Sequence, residues 1–400
     1  MKISLGMLLA FGLLLGLAAP MGAQIAPEHN ITEGCVTDYD PAIDYFPEQA
    51  EIDYAQGFAV EYFNNYKVVT ILTPWANAEE VFEYVLVQCG TPVPDGFETA
   101  QMVTVPVETI VTMSTTFLPH LDAQGMTDRI VGMDSDSLAM TAMTSIQERN
   151  AAGEITNVGV SWQPDIETLI DLDAAVIMVQ QFESEGGVYD ALRSMELPAV
   201  LNSDFVDTTP LGRAEWGKYI ALFFNTEAIA NEVFDGVAER YTELAALTAA
   251  VTERPTVFAN VPWSGTWNMP GGQSYMAALL QDAGADYLWS EDTSTDSLYL
   301  DLETVLEVAG DADFWINAGV YWTTLADGLA EDERYAEFAA FQNGNVYTYN
   351  LRVTEGGGLE YFETGAANPD VVLADLIAIF HPDLLPEHEF IYYQQIPAGE

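Results

Sequence analysis

Two glycine-rich loops carry an unusual load of aromatic side chains. Trp263 and Trp267 lie in the run from Val261 to Gly272, behind an apparent strand Thr256 to Asn260. Tyr321 and Trp322 lie in Ala318-Gly319-Val320-Tyr321-Trp322, behind Phe314 to Asn317. Side chains on such loops reach a core with difficulty, so their rings suit stacking on the flat face of a bound molecule. Packing between loop and body is the competing reading. Tyr275 joins this set, although it can begin a helix and face inward. Cations are scarce, 11 Lys and Arg against 62 Asp and Glu, and the few arginines are informative for that reason. Arg213 and Arg352 are candidates for gripping negative or oxygen-rich groups with planar guanidinium forks, or else for pairing with local acids. Catalytic signatures are missing: no Gly-x-Ser-x-Gly, His-Glu-x-x-His or phosphate-binding Gly-Lys-Ser/Thr loop occurs. A carboxylate-pair glycoside hydrolase remains open on the number of acids alone. His29, His120, His381 and His388 form no metal motif, so direct Zn or Mn binding needs distant ligands to converge.

The elements that position these residues are written twice. Phe117-Leu118-Pro119-His120-Leu121 leads to Gly125 and the strand-like Arg129-Ile130-Val131-Gly132. Tyr275-Met276-Ala277-Ala278-Leu279-Leu280 leads to Gly284 and Tyr287-Leu288-Trp289. Each unit continues through a near-identical segment, Asp165-Ile166-Glu167-Thr168-Leu169 and Asp301-Leu302-Glu303-Thr304-Val305, into an apolar run. Helix, strand, short helix, strand, repeated, predicts two Rossmann-like α/β lobes with a cleft between them, at the loops that follow strands. Between the units Thr209 can cap a helix with Pro210 at its first position, and apolar side chains recur on one face to Leu247. A single joining helix over 209–250, a rod of about 50 Å, follows if it is unbroken. The N-terminal lobe is assigned to 103–208 and the C-terminal lobe to 251–400. Residues 24–102 form an arm and a β-rich extension, with strands at Gly57 to Phe63, Tyr66 to Leu72 and Val81 to Val87. Asn64-Asn65 suits a tight hairpin, since Asn tolerates positive φ.

Residues 1–23 resemble a secretory signal: Lys2, then an apolar stretch from Leu5 to Ala19, then small residues at a cleavage region. Export makes the two cysteines, Cys35 and Cys89, a disulfide pair rather than a metal site. A formal charge of −51 excludes nucleic acid and anionic membrane as partners. Acids spread along the whole chain suit a solvated surface in a saline setting.

Taken together, the signal segment, the two lobes, the spanning helix and the paired Asp-x-Glu motifs resemble the cobalamin, siderophore and haem group of ABC-transporter substrate-binding proteins. Thr209-Pro210-Leu211-Gly212-Arg213-Ala214-Glu215-Trp216 is similar to the start of the linking helix in its iron-complex binders. The resemblance spans roughly Val103 to His381; residues 24–100 depart from it. It implies an extracytoplasmic, monomeric binding protein without catalysis or intrinsic cofactor. The mature chain would not insert in the membrane, and would carry an iron-siderophore, haem or corrinoid complex to an ABC permease. The ligand-contact candidates are then Trp263, Trp267, Tyr275, Tyr321, Trp322, Arg213 and Arg352, and the resemblance places permease docking on Glu167 and Glu303.

Overall fold

The computed structural model describes residues 26–98, 100–182 and 186–399; the signal segment expected at 1–23 lies outside them. Ile110–Thr112, Ile130–Met133, Thr156–Asn157, Val176–Val179 and Ala199–Leu201 form a five-stranded parallel sheet. Its central strand is Ile110–Thr112, flanked by Ile130–Met133 and Val176–Val179. The same order recurs in the second unit, where Thr256–Ala259 lies between Asp286–Tyr287 and Phe314–Ile316, all parallel. Both units are therefore doubly wound around their first strand. The central strands are near-continuous apolar runs, the pattern of strands covered on both faces. Val176–Val179 is buried at every position.

Helix Leu118–Ala123 and helix Tyr275–Asp282 end alike. Gly125 and Gly284 take φ of 71° and 80°, and the amides of Met126 and Ala285 reach back to the carbonyls of Leu121 and Leu280 at 2.7 and 3.0 Å. That closure satisfies the last carbonyls and turns the chain into the next strand, as the glycine spacing predicts. The repeated acidic segments also match: Asp165 caps helix Ile166–Leu172 and Asp301 caps helix Leu302–Ala309 through their side chains.

The single joining rod is corrected. Thr209 and Pro210 start a helix as predicted, but it runs only from Pro210 to Phe224, and a second helix spans Glu227–Thr248. Asn225 breaks the path in the left-handed conformation, φ 58°. Its side chain is held there: Nδ2 donates to the Ile31 carbonyl and Gln88, and Oδ1 accepts from Lys67. Buried polar groups at Asn225, Thr226 and Glu227 are satisfied by the N-terminal extension and by Gln124, which stabilises the break.

That extension is a four-stranded sheet of Phe58–Phe63, Tyr66–Ile71, Phe82–Gln88 and Gln101–Val105. The first three strands lie where predicted; the fourth crosses the boundary expected after residue 102. Asn64-Asn65 forms the two-residue turn, yet neither residue has positive φ. Cys35 and Cys89 are bonded, Cα atoms 4.7 Å apart, tying the arm to the end of the third strand.

Candidate functional site

The strand ends of both lobes converge on one cleft of about 690 Å3. From the N-terminal lobe come Thr116, Gln180 and Asp204, which follow the strands ending at Thr112, Val179 and Leu201. From the C-terminal lobe come Asn260, Asn317 and Tyr349, which follow the strands ending at Ala259, Ile316 and Thr348. This is the crevice at the carboxyl ends of doubly wound sheets, where such folds bind ligands. Asn260 and Asn317 both adopt left-handed backbone, φ 67° and 52°. Asn260 donates to the Asn268 carbonyl and Asn317 accepts from the Tyr393 hydroxyl. Each turns the chain sharply off its strand at the cleft floor.

Charge in the cleft is sparse. Arg213, on the first turn of helix Pro210–Phe224, is the only cation lining it among the described residues. Its Nη2 donates to the carbonyls of Phe205 and Asp207 at 2.7 and 3.3 Å, and its guanidinium lies 4.2 Å from the centre of the Tyr275 ring. Nη1 has no protein partner among the described residues. Asp204 is buried and accepts from Gln180 Nε2 at 2.8 Å. Burial pushes its carboxyl up, and the nearby Arg213 charge and the Gln180 bond pull it back.

Aromatic rings stand on both sides. Phe182 and Phe205 pair at 4.6 Å on the N-terminal side. Tyr349 and Tyr361 stack at 4.6 Å and 20° on the C-terminal side, with Phe362 edge-on to Tyr349 at 5.3 Å. Phe182 and Phe362 are half or more exposed, a costly position for such rings unless something covers them. Burial raises the phenol pKa of Tyr275, Tyr349 and Tyr361. The three therefore stay neutral near pH 7, presenting ring faces and hydroxyls rather than phenolates.

A clasp joins the lobes beside this cleft. Glu363, buried in the C-terminal lobe, accepts from the Thr141 hydroxyl and from the Ala142 amide at 2.6 Å, and Thr354 Oγ1 donates to the Met140 carbonyl. A Cβ on Gly356 or Gly358 would sit 1.8 or 2.0 Å from the carbonyl oxygens of Ala139 and Met140. Only glycine permits that approach.

Of the predicted ligand residues, Tyr275 and Arg213 line the cleft together. Trp267 does not: it is fully buried, its indole donating to the Ala259 carbonyl and packing on Phe258 and Trp315. The supposed loop is a hairpin, Pro262–Trp263 against Thr266–Pro270, with Trp263 opposite Thr266. Strand alternation sends Trp267 inward and leaves Trp263 outside, 77 % exposed and away from the cleft. Trp322 is likewise core, donating to Glu331 at 2.9 Å. Gly319 and Gly328 make its room: a Cβ at either would stand 2.2 or 2.8 Å from the indole. Gly319, which suggested a surface loop, is thus part of the socket of a buried ring. Tyr321 is exposed and lies outside the cleft lining. Arg352 lies on a separate hollow beside the clasp, paired with Glu360 at 3.1 Å.

Sequence reasoning missed Gln180, Asp204, Asn260, Asn317, Tyr349 and Tyr361. The repeated apolar-apolar-Asn endings, Phe258-Ala259-Asn260 and Trp315-Ile316-Asn317, were the available signal. Each proposed docking acid is exposed in the first turn of its helix. Glu303 is paired with Arg334 at 2.7 Å, whereas Glu167 has no side-chain partner among the described residues.

Comparison with known proteins bears on the whole arrangement. The sequence model of the family described as Periplasmic binding protein matches residues 110–352. An uncharacterized lipoprotein of Methanocaldococcus jannaschii is 24 % identical over 304 residues, 73 % of this chain and 70 % of that protein. A possible iron-binding, periplasmic solute-binding protein from Staphylococcus epidermidis superposes with a TM-score of 0.53 at 14 % identity, covering 68 % of this chain and 98 % of that one. A periplasmic haem-binding protein from Pseudomonas aeruginosa gives 0.52 at 19 % identity, covering 69 % and 93 %. At these identities the structural matches show the shared two-lobe α/β fold.

Proposed function

The chain belongs to the periplasmic binding protein family, a family of solute-binding proteins rather than enzymes, and from that premise we propose that it captures a metal complex in the interlobe cleft for delivery to an ABC importer. The ligand class is an iron-siderophore, haem or corrinoid. The observation that carries this reading is Arg213, the one cation lining the cleft among the described residues, set over Tyr275 between the aromatic walls of the two lobes. Rings on both sides suit a large flat or ring-bearing complex, and one guanidinium suits an anionic or oxygen-rich edge. The volume falls within the range of small-molecule sites. The work is extracytoplasmic in this reading, in keeping with the family and with a relative named as a lipoprotein. Docking on the permease is assigned to Glu167 and Glu303, on the strength of their matching positions in the two lobes.

Titration with haemin, a ferric tris-catecholate siderophore and cyanocobalamin, followed by absorbance and calorimetry, tests the proposal. At least one should bind saturably, and Arg213→Ala should weaken it about tenfold or more, the usual worth of a hydrogen bond to a charged group. Failure of all three to bind would overturn the ligand class. Binding indifferent to Arg213→Ala would remove the site.

A further inference from the structure

A second hollow of about 330 Å3 opens beside the cleft. Phe205, Arg213, Tyr275, Thr295 and Asp296 line both, so the two are continuous. The outer wall of this annex is not part of either lobe. Gln56, Gly57, Thr73, Ala76 and Asn77 build it, all from the N-terminal extension and all outside the residues matched by the family model.

The wall is fixed in place. Asp207 binds the amides of Gln56 and Gly57 at 3.0 and 3.3 Å and the Trp216 indole at 2.6 Å. Ser203, at the end of the edge strand of the N-terminal lobe, donates to the Pro74 carbonyl at 2.9 Å. Trp75 is buried beneath the 73–77 loop, edge-on to Phe82. The loop is thus tied at Pro74 and seated on a buried indole, beside a segment held at Gln56 and Gly57.

Its chemistry differs from that of the cleft. Gln56, Thr73, Asn77 and Thr208 offer neutral donors and acceptors, none engaged through its side chain by other described residues. Asp207 is committed to the wall itself. Arg213 stands where the two hollows meet, so a ligand core gripped by it can extend into the annex. The geometry points to a second subsite that receives a hydroxyl- or amide-bearing appendage of a complex whose metal-binding core occupies the cleft. This rests on the cleft being the ligand site. It gives the extension a role in selectivity: the protein favours appended complexes over bare ones.

The test uses two matched pairs, ferric enterobactin with its diglucosylated form, and cobinamide with cobalamin, on the full chain. Wild type should bind the appended member of at least one pair about tenfold more tightly, the worth of one or two neutral hydrogen bonds. Thr73→Trp and Ala76→Trp, which fill the annex, should bring that ratio to near one while leaving affinity for the bare member unchanged. Ala76 is exposed, so its variant keeps the test valid if Thr73→Trp fails to fold. Equal binding within both pairs, or a preference that survives both substitutions, overturns the annex alone. No binding of any of the four complexes overturns the annex; failure of haemin to bind as well overturns the reading of the cleft.

Discussion

His120 shows how one side chain can set a pH dependence without touching ligand. It is buried between helix Leu118–Ala123 and helix Pro210–Phe224, where a Cβ on Gly217 would stand 2.6 Å from its Nδ1. Burial alone pulls its pKa down to about 4. The unfolded chain takes up this proton near pH 6.5, whereas the folded chain resists until about 4. The unfolded state therefore binds more protons in that window, and stability falls as pH drops through it, by about 3 kcal/mol in total. His120→Phe should flatten this part of the pH profile of unfolding free energy, measured with denaturant between pH 7 and 4. A profile as steep as that of wild type would move the dependence to other groups.

The helix Pro210–Phe224 carries charge where few helices do. Glu215 is fully buried, accepts the amides of Asp53, Tyr54 and Ala55 at 2.7–3.2 Å, and pairs with Lys218 at 2.9 Å. One carboxylate thus anchors the arm to the element that joins the lobes. Glu215→Leu would leave the Lys218 ammonium buried without its partner and three amides without an acceptor. A loss of about 3–5 kcal/mol is expected; adding Lys218→Met recovers only the part due to the stranded ammonium, because the three amides still lack their acceptor. Urea unfolding gives the magnitude, and limited proteolysis between residues 51 and 57 reports release of the arm. Resistance there equal to wild type would mean that other contacts hold it.

At the scale of the molecule, the two lobes present matched acids but not matched charges. Arg334 neutralises Glu303 in part, and Glu167 stands alone among the described residues. In the proposed docking, Glu167→Arg with Glu303→Arg should abolish uptake by the cognate permease with solution affinity for ligand unchanged. Glu167→Ala should slow uptake more than Glu303→Ala. Charged contacts of this kind govern specificity and association rate more than affinity, so transport kinetics in proteoliposomes is the appropriate readout. Normal transport by the double reversal would return both acids to surface residues of a first helical turn, favoured there by the helix dipole alone.

Local rules sufficed for the repeated lobes, the helix stops at Gly125 and Gly284, the Thr209-Pro210 start and the three extension strands. Each follows from residue type and spacing within a few positions. The cleft at the strand ends followed as well, because doubly wound sheets leave their crevice there. What occupies it did not follow. Whether Trp263, Trp267 and Trp322 face ligand, solvent or core depended on hairpin register and on sockets at Gly319 and Gly328, which are contacts between residues. The break at Asn225 depended on partners about 140 to 195 positions away, among them Ile31, Lys67 and Gln88. Read with hindsight, Asn225-Thr226-Glu227 is a plausible stop and restart. The folded extension, together with Gln124 of the N-terminal lobe, satisfies its buried polar groups and so makes the break cheaper than a continuous helix.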